Sequence, residues 1–552
     1  MHWLDRYAQN YHKWHSHGDT YYRPLGVVET AFHTDGTEYE GRADVNGLLT
    51  LRVESGLTPA KLNRHIILAW ANLRLEHVLL LSTTRRVHEL DDTKRNNGDH
   101  AFVVRRPTSV NQAIRNAEDN TTLVEDHHRN VDSAEFYRHA MNTARAVNEQ
   151  TSLSRLFVLP IQHDSDVQRL RLLIICGHEI CDGLTIGRWV GNFKILLNQK
   201  DSVLEESLAS ALDPRNFALR LPPAQEDLYP IIHGTPARQR WYWAITRIIR
   251  HVRKKPVSAM SNPLFKDEKS RYAKSMAPKF DSVLDYSRTP PLNSFVSRFA
   301  IPAKVAAHMK RHCRAVGASL GSGIFALVGM AMMTIEAQLR PSGPRCPFVS
   351  SFPVNARPFF NYNGPLDSLM LTFNGLDGVV LPFLEPDLPV VGRFRLLAIR
   401  ADRQLRQYQK GTRALSTQAQ LIPLNYIIAV ERAEQKLPEQ KRHGINPQGA
   451  YPAVTHPTGA TCGISSVGVR AGWHQKRPVE HDKQDFWADF EDSLLSVRVR
   501  DNEFLIGCFG DELGLYVSVS YDGNTLDEQR VERWKHIMQT LLEPEELLGV
   551  NL

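Results

Sequence analysis

Residues 169–176 read RLRLLIIC, and this run constrains the fold more than any other stretch of the chain. Its near-continuous apolar centre predicts a strand buried on both faces, which commits the rest of the chain to covering both sides of a sheet. The preceding segment, LSRLFVLPIQ at 153–162, reads as a second strand, and the turn HDSDV between them predicts a hairpin or two neighbouring strands. Directly after the run comes GHEICDGL at 177–184. From Leu184 the apolar residues Trp189, Val190, Phe193 and Leu197 recur at helical spacing. His178 therefore falls where a buried strand hands over to a helix, a position at which a rigid scaffold holds a loop side chain firmly.

A chain of 552 residues exceeds what one hydrophobic core comfortably holds, so two domains are expected. We divide it into 1–230, a crossover at 231–294 rich in proline-bearing segments, and 295–552. Charged residues make up 23% and apolar ones 42%, a balance that excludes disorder as the ground state. The formal net charge of +7 suits either a nucleic-acid binder or an enzyme for an anionic co-substrate. No zinc-finger, RRM or helix-turn-helix pattern supports the former, so no nucleic-acid partner is expected. The densest basic run, RIIRHVRKKP at 247–256, reads as a solvated face or as an attractor for phosphate. Six cysteines without a CxxC pair do not form a disulfide framework. No apolar leader is visible at the N-terminus, and no run reaches membrane-spanning length, so a cytoplasmic chain without membrane insertion is expected.

Along the chain, Trp3, Tyr7, Tyr11 and Trp14 predict an aromatic stripe on one helix face. The polar stretch HTDGTEYEGR at 33–42 reads as loop and short strands. Thr58-Pro59 opens a helix, with Thr58 as its cap. A short helix is expected near 241–253, a strand then a helix from 296, and a tight helix entry at GASLGSGI, 317–324. Thr525 and Glu528 predict a capping box before a last helix packed through Val531, Trp534, Ile537 and Leu541.

Acyl transfer to a hydroxyl needs a base for the alcohol proton, a donor for the developing oxyanion and a dry meeting place. Histidine suits the first task, since its neutral form is present near neutral pH. Asp182, four residues beyond His178, orients the imidazole or binds a distant arginine; Gly183 behind it fits a tight turn. Cys176 and Cys181 flank the histidine, but buried thiols more often pack as small hydrophobes than act as nucleophiles. His12, His15 and His17 lack the cysteine or carboxylate company of a zinc site, so no metal is expected.

GHEICDGL resembles the HxxxDG motif of the CoA-dependent acyltransferase superfamily, which takes in plant and fungal acyltransferases, chloramphenicol acetyltransferase and the condensation domains of peptide synthetases. LRLEHVLL at 73–80 is similar to that family's early helix, which commonly ends Arg-x-x-His-Pro, although Val78 stands where proline is usual. VNARP at 354–358 resembles its Val-x-x-Arg-Pro element, ISSVGV at 464–469 its inner strand, and SYDGNTLD at 520–527 its late strand and turn. These matches keep the family's order from about residue 58 to 543. The Asp-Phe-Gly-Trp-Gly element of plant members is absent from the sequence. The stretches 21–32 and 364–411 resemble fungal trichothecene 15-O-acetyltransferases most closely.

The resemblance implies an α/β fold of two chloramphenicol-acetyltransferase-like domains, each a mixed sheet with helices, enclosing a channel at their interface. It implies His178 and Asp182 as the catalytic motif pair: His178 as general base, and Asp182 turned from the channel toward an arginine, for which Arg357 is the candidate. Gly183 permits the turn, and Ser465 and Ser466 face substrate. Acetyl-CoA is the implied co-substrate, with no metal. The implied acceptor is a small hydrophobic hydroxylated molecule, specifically the C-15 hydroxyl of a trichothecene such as 15-deacetylcalonectrin, and the implied state is a monomer. Two alternatives stand beside this reading: a condensation-type synthase using a carrier-bound thioester, and a non-catalytic binding protein of the same fold.

Overall fold

The computed structural model describes residues 10–90, 100–164, 167–253, 258–267, 276–287, 294–373, 378–409, 427, 460–469, 486–499, 502–511 and 514–544. The first half runs β1 (His15–His17), β2 (Thr20–Pro24), α1 (Val27–Glu38), β3 (Val45–Glu54), α2 (Pro59–Glu76), β4 (Thr83–Arg86), α3 (Val87–Leu90), β5 (His100–Arg105), α4 (Val110–Asp119), β6 (Thr121–Leu123), α5 (Ser133–Ala140), β7 (Ser154–Val158), β8 (Gln162–Asp164), β9 (Val167–Cys176), α6 (Gly183–Leu197), α7 (Asp201–Ala211), α8 (Pro214–Ala218) and α9 (Pro236–Arg253). The second runs β10 (Ser294–Ile301), α10 (Ala303–Ala315), α11 (Leu320–Leu339), β11 (Phe348–Ser351), β12 (Pro353–Asn355), β13 (Leu371–Phe373), β14 (Val379–Leu381), α12 (Val390–Gln409), β15 (Cys462–Val469), β16 (Trp487–Val497), β17 (Phe504–Gly510), β18 (Leu515–Asp522) and α13 (Glu528–Thr540).

The strand expected to be buried on both faces is β9. It lies between β3 and β7 in a sheet of order β16-β3-β9-β7-β6, antiparallel except for the β6–β7 pair. All seven residues from Leu170 to Cys176 are buried. One face packs on α2 and α6 through Ile66, Trp70, Trp189 and Phe193, the other on α5 through Phe136, which meets Phe157 of β7 edge to face. Each such side chain contributes about 1.5–3 kcal/mol by leaving water, so this strand anchors the first half.

The second half is a six-stranded sheet of order β10-β18-β17-β15-β11-β14, in which the β11–β15 and β15–β17 pairs are parallel. Its core gathers Phe299, Phe504 and Trp534 with the apolar helix α11. Among the described residues α11 alone is long and apolar enough to cross a bilayer, and most of it is buried inside the protein. Both halves are thus mixed sheets layered with helices. They are also interlocked: β16, late in the sequence, leaves the second half and pairs with β3 as the edge strand of the first-half sheet, from Trp487↔Glu54 to Val497↔Val45.

Several local expectations change. Residues 33–38 belong to helix α1, not to loop and strand. Its helical geometry is held from its N-terminus, where Glu29 accepts a hydrogen bond from the Gly26 backbone at 2.7 Å, and by packing of Gly36 against the Arg145 guanidinium, so tertiary contacts override the weak propensity of HTDG. Trp3 and Tyr7 of the aromatic stripe lie outside the described residues. Tyr11 and Trp14 sit in a turn and its exit before β1, with the Trp14 indole donating to Pro222 O at 2.8 Å. Pro59 opens α2 as expected, but the Thr58 side chain makes no capping bond. The last helix is capped by Asp527, which accepts from Arg530 N at 3.0 Å; Thr525 instead bonds the Asp522 carboxylate. The helix expected near 241–253 begins earlier, at Pro236.

Candidate active site at the end of the central strand

His178 follows β9 by two residues and stands in a tight turn whose Ile180 and Cys181 amides bond back to Gly177 O and His178 O. The imidazole is half-buried and stacks on Phe32 of α1, ring centres 4.0 Å apart and planes 12° from parallel. Its Nδ1 is enclosed and makes no hydrogen bond. Burial pushes the imidazole below its ordinary value of 6.5; its own carbonyl, the Asp182 and Glu179 carboxylates and the Cys181 carbonyl pull the other way without cancelling it. The neutral ring, able to accept a proton, is thereby favoured near neutral pH.

Asp182 is 1% exposed and caps α6. Its Oδ1 accepts from Leu184 N at 3.1 Å and Thr185 N at 2.9 Å. Its Oδ2 accepts from Met370 N at 3.0 Å and meets Arg357 Nη1 at 2.9 Å. Asp182 and Arg357 are thus brought together across the two halves. The same guanidinium donates to Leu366 O at 2.9 Å, to Ser368 O at 2.6 Å and to Thr185 Oγ1 at 2.6 Å, while the Thr185 hydroxyl donates to Ser368 O at 2.9 Å. Asp367, between these, pairs with His77 at the end of α2 and accepts from Trp189 Nε1 at 3.0 Å. Burial alone would raise the Asp367 carboxyl, but His77 and the Trp189 indole outweigh it and lower it. The segment 366–370 of the second half is consequently clasped to α2 and α6 of the first.

Gly183 opens α6 and is not among the left-handed residues; a Cβ there would touch Val467 Cγ2 at 3.5 Å, an ordinary contact. Helix entry, rather than a left-handed turn, is what this position supplies. Val467 belongs to β15, so the inner strand of the second sheet abuts the motif. Ser465 lies on one side of this strand, ahead of a bulge between Ser466 and Gly468. Ser466 lies on the other side, its Oγ 3.6 Å from where a Cβ on Gly321 of α11 would stand. The two serines are therefore separated rather than paired.

Phe32 and Glu179 were not singled out from sequence. Glu179 is fully buried; its carboxylate meets His33 Nδ1 at 3.3 Å and Arg145 Nη2 at 3.4 Å, and Arg145 in turn holds Asp44 through Nε at 2.8 Å. Burial would push the Glu179 carboxyl up, yet Arg145, with His33, outweighs it and holds it well below the usual range. A charge buried this deeply demands such partners. Gly177 makes room for it, since a Cβ there would come within 2.8 Å of Glu179 Cδ and 3.1 Å of Arg145 Nη2. A glutamate directly after a doubly buried strand was the available signal; its partners, far off in sequence, were not. Phe32 ends the stretch 21–32, whose one signal is its family resemblance, and nothing in its spacing marks a stacking partner for His178.

Cys176 and Cys181 are both buried, and burial, with the neighbouring Cys176, pushes the Cys181 thiol well above its ordinary value, which suppresses the thiolate. His12 bonds Pro24 O through its ring at 3.2 Å and His15 stacks on Tyr22, so these histidines do not converge. Among the described residues no three His, Cys, Asp or Glu side chains group as a metal site would.

No protein-family model and no curated protein matches the chain. Solved structures do. The TRI3 trichothecene 15-O-acetyltransferase from Fusarium sporotrichioides is similar with a TM-score of 0.67 at 12% identity, over 97% of this chain and 98% of that one. The condensation domain of the Monacolin K polyketide synthase MokA is similar with a TM-score of 0.54 at 11% identity, over 95% and 96%. The four-domain nonribosomal peptide synthetase AB3403 matches with a TM-score of 0.51 at 11% identity, over 98% of this chain and 33% of that one. At such identities the likeness is one of architecture. Two mixed sheets with their helices, joined by an exchanged strand and by the clasp behind the histidine turn, give this chain the fold of the chloramphenicol-acetyltransferase-like and condensation-domain acyltransferases.

Proposed function

We propose that the chain is an O-acetyltransferase that moves acetyl from acetyl-CoA to a hydroxyl of a small hydrophobic secondary metabolite, with His178 as general base. The observation that carries this reading is the state of His178: a half-buried, neutral-favouring imidazole, stacked on Phe32 and presented by a turn that Asp182 and Arg357 lock from behind. Nδ1 is enclosed, so the unprotonated Nε2 is assigned as the atom that accepts the proton. It takes the proton of the acceptor hydroxyl as that oxygen attacks the thioester carbonyl. The tetrahedral intermediate collapses with loss of CoA thiolate, which recovers the proton from the imidazolium, so no acyl-enzyme is needed. Asp182 and Arg357 position the turn and do not exchange protons. Ser465, on the inner strand that abuts the motif, is the candidate hydroxyl for substrate or oxyanion. The likeness to the TRI3 fold supports a trichothecene C-15 hydroxyl as the first acceptor to test.

The test is acetyl transfer from acetyl-CoA to 15-deacetylcalonectrin, with wild type and His178→Ala. The expected result is saturable product formation that falls by roughly 10²–10⁴ in the variant, as for loss of a general base. Turnover retained by His178→Ala would overturn the base assignment. Activity only with a carrier-bound thioester would assign the chain to condensation chemistry, and tight acceptor binding without turnover to a binding role.

A further inference from the structure

Helix α9 turns its apolar side away from the protein. Trp243 and Thr246 face inward and are buried, 4% and 6% exposed. On the opposite side Trp241, Ile245, Ile248 and Val252, spaced by four, three and four residues, are 66%, 37%, 59% and 73% exposed. That spacing puts the four on one face, where a surface helix ordinarily carries polar residues. The charge is equally one-sided: Pro236–Arg253 contains five arginines and no aspartate or glutamate, and Lys254 and Lys255 follow in the sequence. Arg238, Arg240 and Arg247 are exposed along the helix. The acyl-transfer reading uses none of these residues.

We infer that α9 is an interfacial helix that docks the protein on an anionic phospholipid surface. An apolar face bearing a tryptophan sinks to the boundary of headgroup and acyl chain, while arginines reach the phosphates and anionic headgroups; each half alone binds weakly. The charge selects the occupant. Copies of a helix with this much positive charge repel one another when face to face, and a neutral bilayer leaves the arginines without counter-charge. The helix lies flat, since its inner face remains packed on the protein through Trp243. This inference stands independently of the acyl acceptor, because it rests on α9 alone.

The test is flotation of the full chain with phosphatidylcholine vesicles, alone or with about 30% phosphatidylserine. Two variants accompany wild type: Trp241→Ser with Ile248→Asp, and Arg238→Glu with Arg240→Glu. All four positions are exposed, and circular dichroism checks that both variants keep the wild-type fold. Wild type should float with the anionic vesicles and not with the neutral ones, and each variant should bind at least about tenfold more weakly. Absence of flotation, equal binding to both vesicle types, or full binding by either folded variant would overturn the inference. So would a concentration-dependent dimer in sedimentation velocity that the Trp241/Ile248 variant abolishes, since the face would then belong to a second copy.

Discussion

Asp182→Asn separates the architecture of the histidine turn from its chemistry. Asparagine caps helices about as well as aspartate, so the bonds from Leu184 N and Thr185 N to Oδ1 survive. The damage falls on Oδ2. There an amide NH₂ would confront the Met370 amide and the Arg357 guanidinium, three donors with no acceptor. Arg357 keeps Leu366 O, Ser368 O and Thr185 Oγ1, so it does not swing away to solvent. Each charge-assisted bond lost from a buried site contributes about 1.5–3 kcal/mol. With side-chain exposures of 1% and 11% the pair is screened little by water. Breaking one partner of such a pair costs about 3–5 kcal/mol, and we expect Asp182→Asn within that range. The assay is urea unfolding followed by tryptophan fluorescence and circular dichroism, beside His178→Ala, whose half-buried ring is replaced with a smaller loss. A double-mutant cycle with Arg357→Met should return a coupling of at least about 1.5 kcal/mol. Stability within about 0.5 kcal/mol of wild type, or a coupling near zero, would refute the clasp as the support of the turn.

Glu226 offers a pH test. Burial, with the nearby Glu29, raises its carboxyl from 4.5 to about 7, so the folded state keeps a proton that the unfolded state releases. Its contribution therefore falls as pH rises from 4.5 through 7, by roughly 3 kcal/mol in all. Glu226→Gln should flatten that part of the stability profile and raise stability at pH 8; an unchanged slope in urea titrations across this range would contradict the assignment. For transfer itself, the acid limb of kcat/KM should lie below pH 6.5, because protonation of a depressed His178 removes the base. Glu179→Gln should move that limb lower still, since the Glu179 carboxylate pulls His178 upward; a limb that rises would argue against it. Gly177→Ala should destabilise by about 2–4 kcal/mol, as its Cβ crowds Glu179 and Arg145 in a buried network, and a melting temperature equal to wild type would show that the network can shift.

The sequence alone determined the elements whose signals are local. RLRLLIIC reads as a doubly covered strand, because its run from Leu172 to Cys176 is continuously apolar, and His178 follows it at a helix entry, because the apolar spacing changes at Leu184. The ordered motifs in both halves pointed to the fold that the solved structures match. Tertiary structure decided whatever depends on partners distant in sequence. Helix α1 is helical because Glu29 and Arg145 hold it, against the propensity of HTDG. Strand β16 lies some 430 residues beyond β3 yet completes the same sheet, since an edge strand's hydrogen bonds carry no address in the sequence. The same separation hid the surroundings of the motif. Asp182 could be read as orienting the imidazole or as the partner of a distant arginine, and only the folded chain makes it a helix cap and brings Arg357, Met370, His77 and Asp367 together behind it. Periodicity records which side of an element leaves water, whereas the identity of what it meets there is a property of the whole fold.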